Sequence, residues 1–219
     1  MIEYPDHGAP HQGQPTIHLG QPLAEASGVL VLIHGRGATA ESMVPLAEEL
    51  ADDGMATLLP QAAGNVWYPQ RFLAPIEDNE PFLSSALQRI DDVVRSAIDA
   101  GVPADRIIVG GFSQGACLAA EYVARTPQRY GGVLVFSGGV IGPPDMEFSY
   151  RGDLAGTPAL VGCSDSDFHI PQERVHATST VLANLGAQVT ERIYPGMGHT
   201  INEDEVSLAG EIVRAAIVG

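Results

Sequence analysis

Residues 106–116, R-I-I-V-G-G-F-S-Q-G-A, restrict the fold more than any other stretch of the chain. The β-branched apolar run 107–109 reads as a buried strand, and 116–125 is compatible with a helix. Between them stands Gly111-Phe112-Ser113-Gln114-Gly115. A strand that passes into a helix through so tight a turn has no room for Cβ atoms two positions either side of the serine, and glycine occupies both. Such a turn lifts the Ser113 hydroxyl beyond the carboxyl end of the strand. It also aims the backbone amide of Gln114 at the same space. An ordinary glycine-rich turn has the same composition, so the reading rests on the strand before it and the helix after it.

The rest of the chain repeats this alternation. Strands are expected at 16–19, 28–33, 55–59, 133–136, 158–162 and 188–194, and helices at 39–51, 82–100, 172–185 and 203–218. The run 28–33, G-V-L-V-L-I, is apolar throughout, as befits a strand covered on both faces. Strand and helix in turn predict an α/β fold: a mostly parallel sheet with helices on both faces. Residues 60–81 and 138–156 form the long irregular stretches. Residues 1–15 read as a loosely ordered lead-in and 16–219 as a single domain, a size that suits one substantial core.

In such sheets ligands bind beyond the carboxyl ends of the strands. The polar residues that follow strands are therefore the candidates: His34 and Arg36, Gln61, Ser113, Ser137, the pair Asp165 and Asp167, and His199. Charge narrows the field of partners. The formal charge is −16, with eleven Arg and no Lys. This suits neither nucleic acid nor a stable membrane association, and the absence of Lys excludes Schiff-base chemistry on a lysine. No apolar run approaches 18 residues, and the start, M-I-E-Y-P-D-H-G, lacks the basic and apolar segments of a secretion signal, so a cytoplasmic location is expected. The two cysteines, Cys117 and Cys163, read as small core residues rather than a disulfide or a metal site.

A serine hydroxyl is a weak nucleophile near neutral pH unless an imidazole takes its proton and a carboxylate fixes the tautomer of that imidazole. Behind a serine on such a turn the chain order is serine, acid, histidine. His176 falls in a helical run and is expected to face solvent. His199 lies in Y-P-G-M-G-H, between a late strand and the last helix, and is the expected base. His169 is the second choice, or else it lines the pocket edge or caps its loop. The acid lies in G-C-S-D-S-D-F-H-I-P and is Asp165 or Asp167, the other serving the local turn. An oxyanion formed on attack needs preorganised donors. Gln114 offers one backbone amide, and His34-Gly35-Arg36-Gly37 offers the amide of Arg36. The Arg36 side chain either binds a substrate carboxylate or lies in solvent.

Four segments in this order, L-I-H-G-R-G-A, G-F-S-Q-G-A, D-S-D-F-H-I-P and P-G-M-G-H-T, resemble the phospholipase/carboxylesterase branch of the α/β-hydrolases, which includes bacterial carboxylesterases and acyl-protein thioesterases. The resemblance runs from about residue 27 to the end of the chain. It implies a single-domain α/β-hydrolase without a large lid domain. It implies Ser113, Asp167 and His199 as catalytic residues and the amides of Arg36 and Gln114 as the oxyanion hole. One departure stands out: Phe168 and His169 follow the acid where the family often has proline directly after it. The implied reaction is hydrolysis of a small-molecule ester through an acyl-enzyme, with no metal and no other cofactor. Thioester or lysophospholipid hydrolysis by the same triad is the alternative, and a non-catalytic binding protein on this fold a further one. Family members are monomers or homodimers, so a homodimer is compatible. Without a lid the site should be open and shallow. Trp67, Tyr68 and Phe72, in W-Y-P-Q-R-F, are expected to form the acyl-binding wall, or else to pin a surface loop.

Overall fold

The computed structural model describes residues 10–218. Among these, seven strands form one sheet: β1 (Thr16–Gly20), β2 (Val29–Ile33), β3 (Ala56–Pro60), β4 (Ile107–Phe112), β5 (Gly132–Phe136), β6 (Pro158–Ser164) and β7 (Gln188–Tyr194). The spatial order is β1-β3-β2-β4-β5-β6-β7. Only β1 runs antiparallel, pairing Thr16 with Pro60 and Gly20 with Ala56. Four α-helices lie between strands, α1 (Val44–Leu50), α2 (Phe82–Asp99), α3 (Gln114–Arg125) and α4 (Gln172–Asn184), and α5 (Glu203–Val218) follows β7.

The apolar pattern of β2 explains the layering. Successive side chains of a strand point to opposite faces. Val29, Val31 and Ile33 face the buried cluster that also takes in Leu87 of α2, Leu118 of α3 and, further along the sheet, Val175 of α4. Leu30 and Leu32 pack on the other face with Ala47 and Leu50 of α1 and Ala209 and Val213 of α5. All five β2 side chains are fully buried, and each large aliphatic one contributes about 1.5–3 kcal/mol. At the far edge, β7 is only partly covered, which accounts for its alternating polarity.

Two expectations are corrected here. The helix expected over 39–51 is instead a single 3₁₀ turn, Ala40–Met43, followed by α1. Pro45 lies in the first turn of α1, where its missing N–H costs nothing, and it cannot extend a longer helix from before. The lead-in is not loose where it is described. His11 is fully buried, its Nδ1 accepts from the Ala63 amide at 3.1 Å, and its Nε2 donates to the Trp67 carbonyl at 2.8 Å. Burial holds this imidazole below its ordinary pKa, consistent with the neutral form that these two bonds require. Residues 1–9 of the expected lead-in lie outside the described residues.

The segment 138–156 is anchored from beneath. Buried Glu121 on α3 accepts from the Ile141 amide and the Tyr150 hydroxyl, both at 2.9 Å. Buried Arg174 on α4 donates to the carbonyls of Val140, Gly142 and Pro143 at 2.8–3.0 Å.

Candidate active site

The turn after β4 needs both of its glycines for one reason. A Cβ on Gly111 would lie 2.6 Å from the Ile33 carbonyl oxygen, and one on Gly115 only 2.0 Å from that same oxygen. The end of β2 therefore presses directly on the turn. Ser113 adopts φ 56° and ψ −117°, a backbone region that costs a non-glycine residue about 1–3 kcal/mol. The Ser113 amide donates to the Phe136 carbonyl at 2.9 Å, and its carbonyl accepts from Cys117 at 3.0 Å. Strand β5 and helix α3 thus hold the strained residue from both sides.

His199 bridges the serine and an acid. Its Nε2 lies 2.8 Å from Ser113 Oγ, and its Nδ1 lies 2.6 Å from Asp167 Oδ2. Asp167 has a fully buried side chain. Its second oxygen, Oδ1, accepts from the amides of His169 at 2.8 Å and Ile170 at 3.2 Å. The Cys163 thiol donates to Oδ2 at 3.6 Å. Burial pushes the Asp167 carboxyl up, but the bond to His199 and the two amides outweigh it and hold the group below its ordinary value. The imidazole is wedged between Phe112 and His169, at ring-centre distances of 4.9 and 4.8 Å. Phe168, the departure from the family pattern, is 92% exposed. It leaves every contact of the acid in place.

Asp165 belongs to the histidine loop. Its Oδ1 accepts from the Gly196 amide at 2.8 Å, and Ser164 Oγ accepts from Gly198 at 3.1 Å. Beyond His199 the loop ends in a reciprocal cap on α5: Asn202 Oδ1 accepts from the Glu205 amide at 2.9 Å, and Glu205 Oε2 accepts from the Asn202 amide at 3.0 Å. Glu205 is fully buried, and among the described residues its Oε1 has no hydrogen-bond partner. Burial pushes its carboxyl up to about 7.

A pocket of about 310 Å³ opens over Ser113 and His199. Gly35, Arg36 and Gln114 lie on one side of it, and Tyr68, Phe72 and Ile170 supply its apolar wall. Gly35 abuts the serine: a Cβ on it would stand 3.4 Å from Ser113 Cβ. His34 stays out of the chemistry. It is fully buried, its Nδ1 donates to Gly35 O at 2.8 Å, and its Nε2 accepts from the Ala62 amide at 3.1 Å. His176, exposed as expected, pairs with Glu191 at 2.8 Å.

Two site expectations are corrected. Trp67 is not part of the wall. It is fully buried with its indole N–H donating to the His34 carbonyl at 2.9 Å, between the rings of His11 and His34. A buried indole N–H needs an acceptor, and the end of β2 provides one. The Arg36 side chain is exposed at the pocket rim, but its guanidinium is engaged by main chain rather than left to solvent alone. It donates to the carbonyls of Tyr68 and Pro69, both at 2.9 Å, and to that of Gln70.

Sequence reasoning also missed how the wall is fastened. The Gln114 side chain accepts from the Trp67 amide at 2.9 Å and donates to the Tyr68 carbonyl at 2.8 Å. Buried Asn79 accepts from the Gln70 amide at 2.8 Å and donates to the Arg71 carbonyl at 3.2 Å. Backbone groups at 67, 68, 69, 70 and 71 are therefore all held by side chains from elsewhere. For Gln114 a signal existed, its place directly after the serine. For Asn79 and His11 nothing local gave one.

A mostly parallel sheet, a serine on a glycine-flanked strand-to-helix turn, and a histidine and acid delivered by later loops together define an α/β-hydrolase. Residues 17–217 match the Phospholipase/Carboxylesterase family, and the chain belongs to it. A crystal structure of a phospholipase/carboxylesterase from Dyadobacter fermentans superposes with a TM-score of 0.87 at 40% identity, covering 92% of this chain and 97% of that one. A protein of Oryza sativa subsp. japonica, named a probable carboxylesterase, is 27% identical across 86% of this chain and 88% of its own. Acyl-protein thioesterase 1 of Saccharomyces cerevisiae is 29% identical across 64% of this chain and 62% of its own. These similarities make the chain a hydrolase of the esterase and thioesterase kind. Among the described residues no helix is long and apolar enough to cross a membrane.

Proposed function

We propose that the chain is a serine hydrolase of carboxylic esters with short to medium acyl groups. The observation that carries this reading is the bridge formed by His199, 2.8 Å from Ser113 Oγ and 2.6 Å from Asp167 Oδ2. His199 Nε2 takes the Ser113 proton as Oγ attacks the carbonyl carbon. The carbonyl oxygen becomes an oxyanion, for which the backbone amides of Gln114 and Arg36 are the donors. Collapse breaks the ester C–O bond, and the proton on Nε2 passes to the departing alkoxide. Water then attacks the acyl-serine with His199 again as base, releasing the acid and restoring Ser113. Asp167, kept ionised by its amide donors, fixes the Nδ1–H tautomer throughout.

The volume of about 310 Å³ is at the small end of ligand pockets, which run to about 1,000 Å³. Its wall of Tyr68, Phe72 and Ile170 supports modest acyl groups. The test is labelling by a fluorophosphonate probe together with hydrolysis of p-nitrophenyl esters of graded length. Both should be present in the unaltered chain and lost in Ser113→Ala; a Ser113→Ala variant that still hydrolyses these esters overturns the reading. The relatives named acyl-protein thioesterase support a second reading, thioester cleavage by the same residues. Acyl thioesters assayed beside oxygen esters of equal chain length separate the two.

A further inference from the structure

Two arginines, Arg36 and Arg71, stand among the residues that line the pocket, and no aspartate or glutamate does among the described residues. This is an unusual local balance in a chain with 27 acidic residues and eleven Arg. The two cations differ in how they are engaged. Arg36 is committed to three main-chain carbonyls. Arg71 is exposed, and its guanidinium makes one long hydrogen bond, from Nη2 to the His169 carbonyl at 3.4 Å. Among the described residues it has no ion pair.

The backbone that carries Arg71 is fixed. Asn79 holds it from both sides, Ala74 N donates to the Arg71 carbonyl at 3.0 Å, and Gly142 N donates to the Phe72 carbonyl at 2.9 Å. A permanently charged, planar donor fork is thus mounted on rigid backbone at the mouth of a pocket whose floor is Ser113. Guanidinium groups in such settings recognise carboxylate and phosphoryl oxygens by paired, charge-assisted hydrogen bonds. The strong negative charge of the chain repels anions at long range, so an anionic substrate would need such a local counter-charge.

We propose that Arg71 binds an anionic group carried by the substrate away from the scissile carbonyl, so that the preferred esters bear a carboxylate or phosphoryl group. This inference rests on the reading of Ser113 as an ester-cleaving nucleophile. The direct test compares kcat/KM for mono-p-nitrophenyl adipate and p-nitrophenyl hexanoate, which places the charge on the acyl side. A parallel pair, 4-acetoxybenzoate and its methyl ester, places it on the leaving group. The anionic member of at least one pair should be preferred by about tenfold or more; Arg71→Gln should abolish that preference, chiefly through KM, and Arg71→Lys should restore part of it. No preference in either pair, or an equal loss for neutral and charged esters in Arg71→Gln, overturns the proposal.

A binding measurement keeps this separate from catalysis. Adipate and phenyl phosphate are titrated calorimetrically into the Ser113→Ala protein and into the same protein carrying Arg71→Gln, which also distinguishes a carboxylate from a phosphoryl ligand. Binding of either probe that Arg71→Gln removes supports the inference even if no ester is turned over, in which case the hydrolase reading alone fails. Absence of binding by both probes counts against Arg71 itself.

Discussion

The side-chain amide of Gln114 donates to the Tyr68 carbonyl at 2.8 Å, while the backbone of the same residue begins the helix that follows Ser113. One residue thereby joins the reacting end of the pocket to its wall. Gln114→Ala keeps the backbone amide and strips the Trp67 amide and Tyr68 carbonyl of their buried partner. Each orphaned group costs about 1–3 kcal/mol. Urea unfolding should show a loss on the order of 2–4 kcal/mol, softened because Arg36 still serves Tyr68. An unchanged urea midpoint would contradict the fastening role.

The two acids after β6 should respond differently to amidation. In Asp167→Asn, the oxygen must stay on the His169 and Ile170 amides, which turns the NH₂ group toward His199 Nδ1 and forces the wrong tautomer. A loss of about 10³–10⁴ in kcat is expected. Asp165→Asn retains an oxygen for the Gly196 amide and should lose less than about tenfold. Steady-state kinetics on one ester decides between them, and the reverse ranking would reassign the acid.

Glu205 gives a pH signature. Burial pushes its carboxyl up from an ordinary value of 4.5 to about 7 in the folded chain. Between these values the folded protein keeps a proton that the unfolded chain has released, so stability falls as pH rises through the window and levels off above it. Glu205→Gln preserves an acceptor for the Asn202 amide and removes the buried charge. The variant should be more stable at pH 8, by on the order of 2–3 kcal/mol, with the advantage fading toward pH 4.5. Melting curves at both pH values check this; a constant difference would show that the charge is not the cause.

Neither thiol should behave as a nucleophile. Burial pushes Cys117 and Cys163 each up to about 12, and thiolate is the reactive form. Iodoacetamide at pH 8 should leave the native protein unalkylated by mass spectrometry and fully active, with both sites labelled after unfolding.

What the chain reveals before folding depends on how local the cause is. Strands β2, β4 and β5 are legible because continuous apolar runs fit only a doubly covered sheet. The turn at Ser113 is legible because steric exclusion falls on two nearby glycines. The direction of a side chain in an irregular segment has no such marker. Trp67 and Phe72 look equivalent in W-Y-P-Q-R-F, yet one turns inward to the His34 carbonyl and the other lines the pocket. The destination of Arg36 is equally silent, since three carbonyls more than thirty residues away decide it. His11 reaches a site 52 residues distant, and only the assembled sheet brings the two together.

The fastening of residues 67–71 by side chains that lie outside that segment separates two properties that often change together. The main-chain path of the wall does not depend on what residue 71 is, because Asn79, Arg36 and Gln114 hold it. Replacement of that one side chain is therefore expected to alter which molecules are admitted while the wall keeps its main-chain path. For descent and for engineering alike, this makes position 71 a place where single-codon changes can diversify selectivity on an unaltered chassis.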